Sequence, residues 1–376
     1  NTVEERIFSL ILYRRLFVGS ALLLSLIGIV FIYSASAYWS EVHYADDTPF
    51  YVRQMINLAL ALVCFTVVSR SKWLLDENWW RLLYVLSILL LIAVLIPGIG
   101  VWRNGSRSWI GLGPLTFQPA ELAKITTLVY LSIILAKWKR GERIIKLKHF
   151  LVLLLPITLI MIQPDFGSAF ILIVGAFILF FIANYPIKFY VLGIVLGIVG
   201  LVVLIISAPY RLARIQAFLD PWQDPLGSGF QAVQSLLAIG PAGLFGHGFL
   251  KSRQKYLYLP EPQNDFIFSI LLEETGFIGG ICVVCIFACF LYSGYKLAAR
   301  SIYARHFYVI SALVSMIAVQ AALNIGVVIG LLPVTGVTLP FISYGGTSLI
   351  ILWLTVGIIY LFGATTEEKR EATWRK

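Results

Sequence analysis

Charge is scarce in this chain of 376 residues: Asp, Glu, Lys and Arg together make up 13%, where a soluble domain carries about a quarter. That scarcity excludes an ordinary soluble globular protein, and charge-rich disorder with it. Cysteine is also rare. Cys64, Cys282, Cys285 and Cys289 all sit in apolar runs, which excludes a disulfide scaffold, and Cys282-x-x-Cys285 has no second pair to complete a zinc tetrad. The four histidines (His43, His149, His247, His306) are scattered. No Walker loop, HExxH, dinucleotide fingerprint or kinase motif set is present, so nucleotide hydrolysis is not an energy source. An activated substrate must bring its own. No sequence repeat of about 20 to 50 residues is visible.

What the chain has in abundance is apolar surface. Hydrophobic residues make up 59%, aromatics 14%, and mean hydropathy is +0.88, with 30 Gly and 15 Pro. This composition predicts an all-α polytopic membrane protein, because helices satisfy their own backbone groups in hydrocarbon and tolerate Gly and Pro there. Crossing takes about 17 to 25 apolar residues. About ten runs qualify, near 16–37, 52–68, 82–98, 119–136, 150–162, 168–183, 187–207, 266–291, 307–329 and 349–362. The fifth and sixth are interrupted by Gln163-Pro164-Asp165-Phe166-Gly167, as a loop or a broken helix. The first is too long for a signal-peptide core and is expected to be a span.

Ten spans place both termini on one side, and 20 of the 29 Lys and Arg fall in the loops of that side. Both termini are therefore expected in the cytoplasm, in one membrane domain covering 1–376. The net charge of +10 is mostly this topology signal. Nucleic acid is not an expected partner, since no basic face with groove-reading elements is present.

Residues 208–263 form the longest stretch without a span, on the expected outer face. Loops of that length are functional or disordered, and Trp222, Phe230, Phe245, Phe249, Tyr256 and Tyr258 make this one too aromatic for disorder. Residues 230–239 (FQAVQSLLAI) have helical apolar spacing and are expected to form a short amphipathic helix on the membrane surface. Arg211, Arg214, Lys251, Arg253 and Lys255 outnumber Asp220, Asp224 and Glu261. A basic surplus on the outer face suits an anionic ligand, or is simply a solvated loop with orientation set elsewhere.

Ionisable groups at membrane depth are functional candidates by default. Gln118, Glu121 and Lys124 share one broad helix face, and Glu121 can pair with Lys124. That pair either holds helices together or lines a site. Asp165 suits a cap or turn. Glu273 and Glu274 point to different sides of one helix, so at least one faces the bundle interior. Asp265 opens the run FIFSILL after Pro260-Glu261-Pro262-Gln263-Asn264, at the outer mouth of a span. A helix-capping aspartate and a general base both fit it. Gln320 and Asn324 share a face and suit interhelical hydrogen bonds. Ser343-Tyr344-Gly345-Gly346-Thr347-Ser348 is an irregular segment, suited to lining a site or to a plain turn.

Six ordered blocks carry a resemblance that single residues do not. They are NGSRSWIGLG (104–113), QPAELAK (118–124), QPDFG (163–167), SAPYRLARIQAFLDPWQDPLGSGFQAVQS (207–235), SRQKYLYLPEPQNDFIFSILLEETGFIGG (252–280) and GLLPVTGVTLPFISYGGTS (330–348). Through them, over about 33–362, the chain resembles the SEDS proteins of bacterial shape, elongation, division and sporulation. The wording is nearer the FtsW and SpoVE branch than RodA. The resemblance implies a ten-span peptidoglycan glycosyltransferase of the bacterial inner membrane. It would polymerise lipid II onto a growing lipid-linked glycan beside a class B penicillin-binding protein. The family's essential carboxylate falls on Asp265. Arg107, Trp109, Glu121, Lys124, Lys255, Glu261, Ser343 and Tyr344 occupy other motif positions, expected at the substrate. Arg107, Arg214 and Lys255 are candidates for stabilising charge on a departing diphosphate. Asp165, Asp220, Asp224, Glu274 and Asn324 are expected to be structural or of open role. No cofactor is required, although a divalent cation is compatible. A lipid-precursor flippase, a small-solute transporter and a non-catalytic scaffold are the competing functions.

Overall fold

The computed structural model describes residues 3–43, 49–103, 106–112, 115–141, 147–206, 216–256 and 258–374. The apolar runs become helices. α1 (Val3–His43), α2 (Phe50–Val68) and α3 (Glu77–Leu95) lead, followed by α4 (Pro119–Lys139), α5 (Leu147–Ile162), α6 (Phe166–Ile182) and α7 (Ile187–Ile206). The short α8 (Phe230–Ile239) precedes α9 (Ile267–Ala299), α10 (Ala304–Val328) and α11 (Gly346–Trp374). Each of the ten predicted runs falls on one helix. Seven of these, among the described residues, are long and apolar enough to cross a membrane, while His149–Ile162 and Phe166–Ile182 are shorter. The QPDFG interruption is a turn between two helices, with Asp165 capping α6 by accepting from the Ser168 amide at 3.1 Å.

α4 is the central helix. It packs against α3, α10 and α6, and Ala120 to Ala136 is buried on nearly every side. α1 lies along α9, and α2 along α11. Leu23, Leu26, Val30, Leu82, Leu86 and Leu89 point outward, as hydrocarbon-facing side chains do. Close approach needs small residues. A Cβ on Gly28 of α1 would sit 2.7 Å from the Ile342 carbonyl oxygen.

Two features lie outside the hydropathy signal. Between α3 and α4 runs a small antiparallel sheet of β1 (Gly100–Arg103), β2 (Ser106–Leu112) and β3 (Leu115–Phe117), with Val101 opposite Trp109 and Ile110 opposite Phe117. Strands this short lie between spans and carry no spanning signal. The second feature is a break in α9 at Gly276, whose φ of 68° and ψ of −166° are not helical. The chain segment 243–248 fills that break. His247 and Gly248 donate their amides to the carbonyls of Glu273 and Glu274 at 2.9 and 3.0 Å, and Phe277 and Ile278 donate to Gly243 and Leu244. Backbone groups that a helix break would orphan are thus satisfied by the loop.

The 230–239 helix forms as expected, but it is not merely laid on a membrane surface. It packs against α9 and α10, with Val233, Ser235 and Ala238 buried and the Ser235 hydroxyl donating to the Val328 carbonyl at 2.8 Å.

Candidate active site

Helix termini converge on one face of the bundle, where α2, α4, α9 and α11 begin and α3 and α10 end. Asp265 sits there, immediately before α9. Its main chain is held from α10: Asn324 Nδ2 donates to the Asp265 carbonyl and to the Val337 carbonyl, both at 2.7 Å. Two residues back, the Gln263 carbonyl accepts from the Tyr344 amide at 2.8 Å, and the Tyr344 ring meets Phe50 edge-on at 4.9 Å. Ser343 Oγ accepts from the Leu339 amide at 2.8 Å, while the Ser343 carbonyl accepts from Gln54 Nε2 of α2 at 3.3 Å. The Ser343–Tyr344 segment is therefore clamped beside the turn that leads to Asp265. Glu261 and Phe341 take positive φ values of 44° and 66°, a region side-chain-bearing residues adopt only where surroundings impose it, most often at functional sites.

The Asp265 carboxyl is half-buried, and its one hydrogen-bond donor among the described residues is its own amide. It does not cap α9. The cap position falls on Phe266, with no side-chain cap. Burial pushes the carboxyl pKa up to about 6, its own amide draws it back, and the nearby Glu261 charge raises it further. Glu261 itself accepts from Asn264 Nδ2 at 2.6 Å. A carboxylate with free lone pairs and a pKa near neutrality is equipped to take a proton.

A second polar layer lies deeper. Lys124 Nζ donates to Glu121 Oε1 at 2.7 Å and reaches Gln320 Oε1 at 3.5 Å, with the Lys124 side chain 1% exposed. Gln320 Nε2 donates to the Thr338 carbonyl at 3.2 Å, and Gln118 Nε2 donates to Asp165 Oδ2 at 2.6 Å. Gln320 and Asn324 are one helical turn apart, so α10 links the Glu121–Lys124 pair to Asp265.

A third cluster braces the loop that leads to Asp265. Glu273 accepts from the Ser252 hydroxyl at 2.5 Å and from the Arg253 amide at 2.8 Å. Glu274 Oε1 accepts from the Ser34 hydroxyl of α1 at 2.6 Å and from Lys255 Nζ at 3.3 Å. Lys255 Nζ also donates to the Leu250 carbonyl at 2.6 Å. Both carboxylates are buried, at 2% and 1% exposure, so both face protein and not one alone. Lys255, expected at a substrate phosphate, has its ammonium engaged within this cluster.

A profile of the FtsW, RodA and SpoVE family, described as cell cycle proteins, matches residues 14–368. The chain belongs to this family. It is 43% identical to stage V sporulation protein E of Bacillus subtilis (strain 168) over 90% of this chain and 93% of that one. It is also 41% identical to the probable peptidoglycan glycosyltransferase FtsW of Saccharophagus degradans, over 95% and 93%. Among solved structures it resembles a chain of a peptidoglycan synthase complex that coordinates polymerization and crosslinking (29% identity, 93% and 97% coverage, TM-score 0.75). It resembles RodA of Thermus thermophilus as well (29%, 93% and 95%, TM-score 0.67). Its multi-pass membrane architecture is that of the family.

Other expected positions make separate contacts. Arg107 on β2 ties the sheet to the end of α3, donating to the carbonyls of Gly100, Leu95 and Ile96, the last at 2.7 Å. Trp109 is half-buried in the β1–β2 register. Asp220 accepts from the Trp222 amide at 3.2 Å. Asp224 accepts from the Ser228 amide and hydroxyl at 2.7 and 3.0 Å, which hold its pKa below the usual carboxylate range. Arg211 and Arg214 lie outside the described residues. Sequence reading passed over Ser252 and Gln54, whose hydroxyl and amide show their purpose only through distant partners. Gly276 did carry a signal, since a glycine within an apolar helix marks a break or close approach. Among the described residues no group of three His, Cys, Asp or Glu is placed to hold a metal ion.

Proposed function

We propose that this protein is a peptidoglycan glycosyltransferase that polymerises lipid II with Asp265 as the general base. The observation that carries the reading is the Asp265 carboxyl: set at the mouth of the bundle, fixed through its main chain by Asn324, unpaired by any described side chain, and with its pKa pushed up to about 6. In the reaction, an acceptor hydroxyl loses its proton to Asp265 as its oxygen attacks the anomeric carbon of the donor. The bond from that carbon to the lipid diphosphate breaks on the opposite face. The configuration inverts, and the diphosphate leaves with the electron pair. The donor supplies the bond energy, which agrees with a chain lacking a nucleotide-binding motif.

The proposal takes no resident cofactor. Charge on the departing diphosphate is met by basic residues of the 208–263 loop or by a divalent cation arriving with the substrate. A class B penicillin-binding protein is the proposed partner, crosslinking the glycan as it forms, in division, elongation or spore wall synthesis. A flippase would hold its carboxylates along a mid-membrane path. Glu121, by contrast, lies in the first turn of α4 and is neutralised by Lys124.

The test is glycan polymerisation from purified lipid II by the full chain with its cognate partner, wild type against Asp265→Asn. Long glycan from wild type alone, with equal partner binding, supports the reading. Equal polymerisation by both would remove Asp265 as base, and none by either would return weight to flipping or scaffolding.

A further inference from the structure

Gln54 and Asn57 share the buried face of α2, which lies along α11. Gln54 has both ends of its amide engaged: Nε2 donates to the Ser343 carbonyl at 3.3 Å, and Oε1 accepts from the Gly345 amide at 3.5 Å. Asn57 is also buried, at 8% exposure, yet its side chain hydrogen-bonds to nothing among the described residues. A buried amide without a protein partner is costly, and a ligand is one physical reason to keep it. Its direction is given by Gly346, the first residue of α11: a Cβ there would lie 3.1 Å from Asn57 Nδ2. Asn57 therefore points at the N-terminus of α11.

That terminus has spare donors. The amides of Gly346, Thr347 and Ser348 belong to a first helical turn and have no acceptor within the helix. None of these three amides, nor the Ser348 hydroxyl, hydrogen-bonds to another described residue. The Thr347 hydroxyl holds the turn in place, donating to the Thr116 carbonyl at 2.8 Å. Residues 345–348 are half-buried, so a ligand can reach them. The turn is also recessed: Asn57 lies about 10 Å along α2 from its first residue, Phe50, so α11 begins well below the start of α2. Tyr344, two residues before Gly346, donates its amide to the carbonyl of Gln263, two residues before Asp265. The turn and Asp265 therefore border one site.

Convergent donors at the positive end of a helix dipole select an anion with several acceptor oxygens, and phosphate groups are the common case. A recessed position between spanning helices, where the dielectric is low, suits a phosphate that arrives attached to a lipid. We propose that Asn57, Ser348 and the first-turn amides of α11 bind the diphosphate of the lipid-linked donor and hold it as it leaves. The identity of this ligand rests on the polymerase reading.

Equilibrium binding of undecaprenyl diphosphate, the leaving half of that donor, to the full chain in detergent tests the proposal. Asn57→Leu keeps the volume and breaks no side-chain hydrogen bond among the described residues, so its melting temperature should hold. Its affinity should fall about tenfold, the loss expected for one hydrogen bond to a charged group. Ser348→Ala should lose a similar amount, and Lys188→Gln on α7 should lose nothing. Undiminished affinity in Asn57→Leu would overturn the proposal. If Asn57→Leu loses stability, Ser348→Ala decides in its place, and undiminished affinity there has the same meaning. Equal binding of phosphatidylglycerol, or displacement of the probe by an equal concentration of inorganic diphosphate, would also overturn it, the first by showing a site for any anionic lipid and the second a site for a soluble anion. These outcomes are separable from those for Asp265. Unchanged affinity in Asn57→Leu says nothing against the general base, and polymerisation by Asp265→Asn leaves the binding result standing.

Discussion

Asn324 donates its Nδ2–H to the main-chain carbonyl of Asp265 at 2.7 Å, while no described side chain donates to the Asp265 carboxylate. The residue is thus held through its backbone and not through its carboxylate. Asn324 is on this reading a positioning residue. Asn324→Ala should lower kcat about ten- to a hundredfold, as displacements of about 1 Å do, and leave the acid limb of the pH profile in place. A shifted limb would mean that Asn324 acts on the proton itself.

Asp265→Asn should lower polymerisation about 10²- to 10⁴-fold, the range for losing a general base. It should also stabilise the fold at neutral pH. Folding raises this pKa from 3.8 to about 6, so the stability Asp265 contributes is complete below about pH 3.8 and lost as pH rises through about 6. Melting temperatures of the two proteins should agree near pH 4 and diverge in favour of Asn at pH 7. Divergence at pH 4 would show that the substitution acts by another route.

The polymerisation rate should rise with pH through about 6 as Asp265 loses its proton. Glu261→Gln removes a neighbouring negative charge that holds the pKa up, so its acid limb should move to lower pH. An unchanged limb would separate the titrating group from Asp265.

Lys255 and Glu274 are buried together, 3.3 Å apart. Removing one charge leaves the other unpaired, at about 3 to 5 kcal/mol. Lys255→Met and Glu274→Gln should each lower thermal stability markedly, and the double variant should recover part of the loss. Simple additivity would show that the pair is not coupled.

Gly276→Ala should uncouple the loop from α9. An added Cβ would lie 2.3 Å from the Gly246 amide nitrogen, on a backbone with φ of 68°. The expected loss is roughly 2 kcal/mol or more, with faster proteolysis within 243–256. Unchanged proteolysis would mean that the break closes into regular helix without releasing the loop.

Much of the architecture was legible because hydrocarbon imposes a single requirement. An apolar run satisfies its backbone in hydrocarbon only as a helix, so each of the ten runs became a helix, seven of them, among the described residues, long and apolar enough to cross. The Glu121–Lys124 pair was legible for a similar reason, since three residues along a helix is a fixed distance. The small sheet at 100–117 was not, because short strands between spans obey no such requirement. The basic surplus of the 208–263 loop pointed to an anionic ligand, yet Lys255 is engaged with Glu274 and Leu250. Charge counts give no geometry.

By itself, then, the sequence determined the membrane solvent, the helices and their order, and the carboxylates worth examining, because these follow from composition and from spacing within one segment. Only the tertiary structure decided what surrounds each carboxylate. Asp265, Glu273 and Glu274 lie within ten positions on one stretch of chain. Glu273 and Glu274 are enclosed by donors from the loop and from α1, which fixes them as braces. Asp265 is anchored at its carbonyl by Asn324, and no described side chain donates to its carboxylate. Those partners come from 19 to 240 positions away, and contacts at that range exist only once the chain has packed.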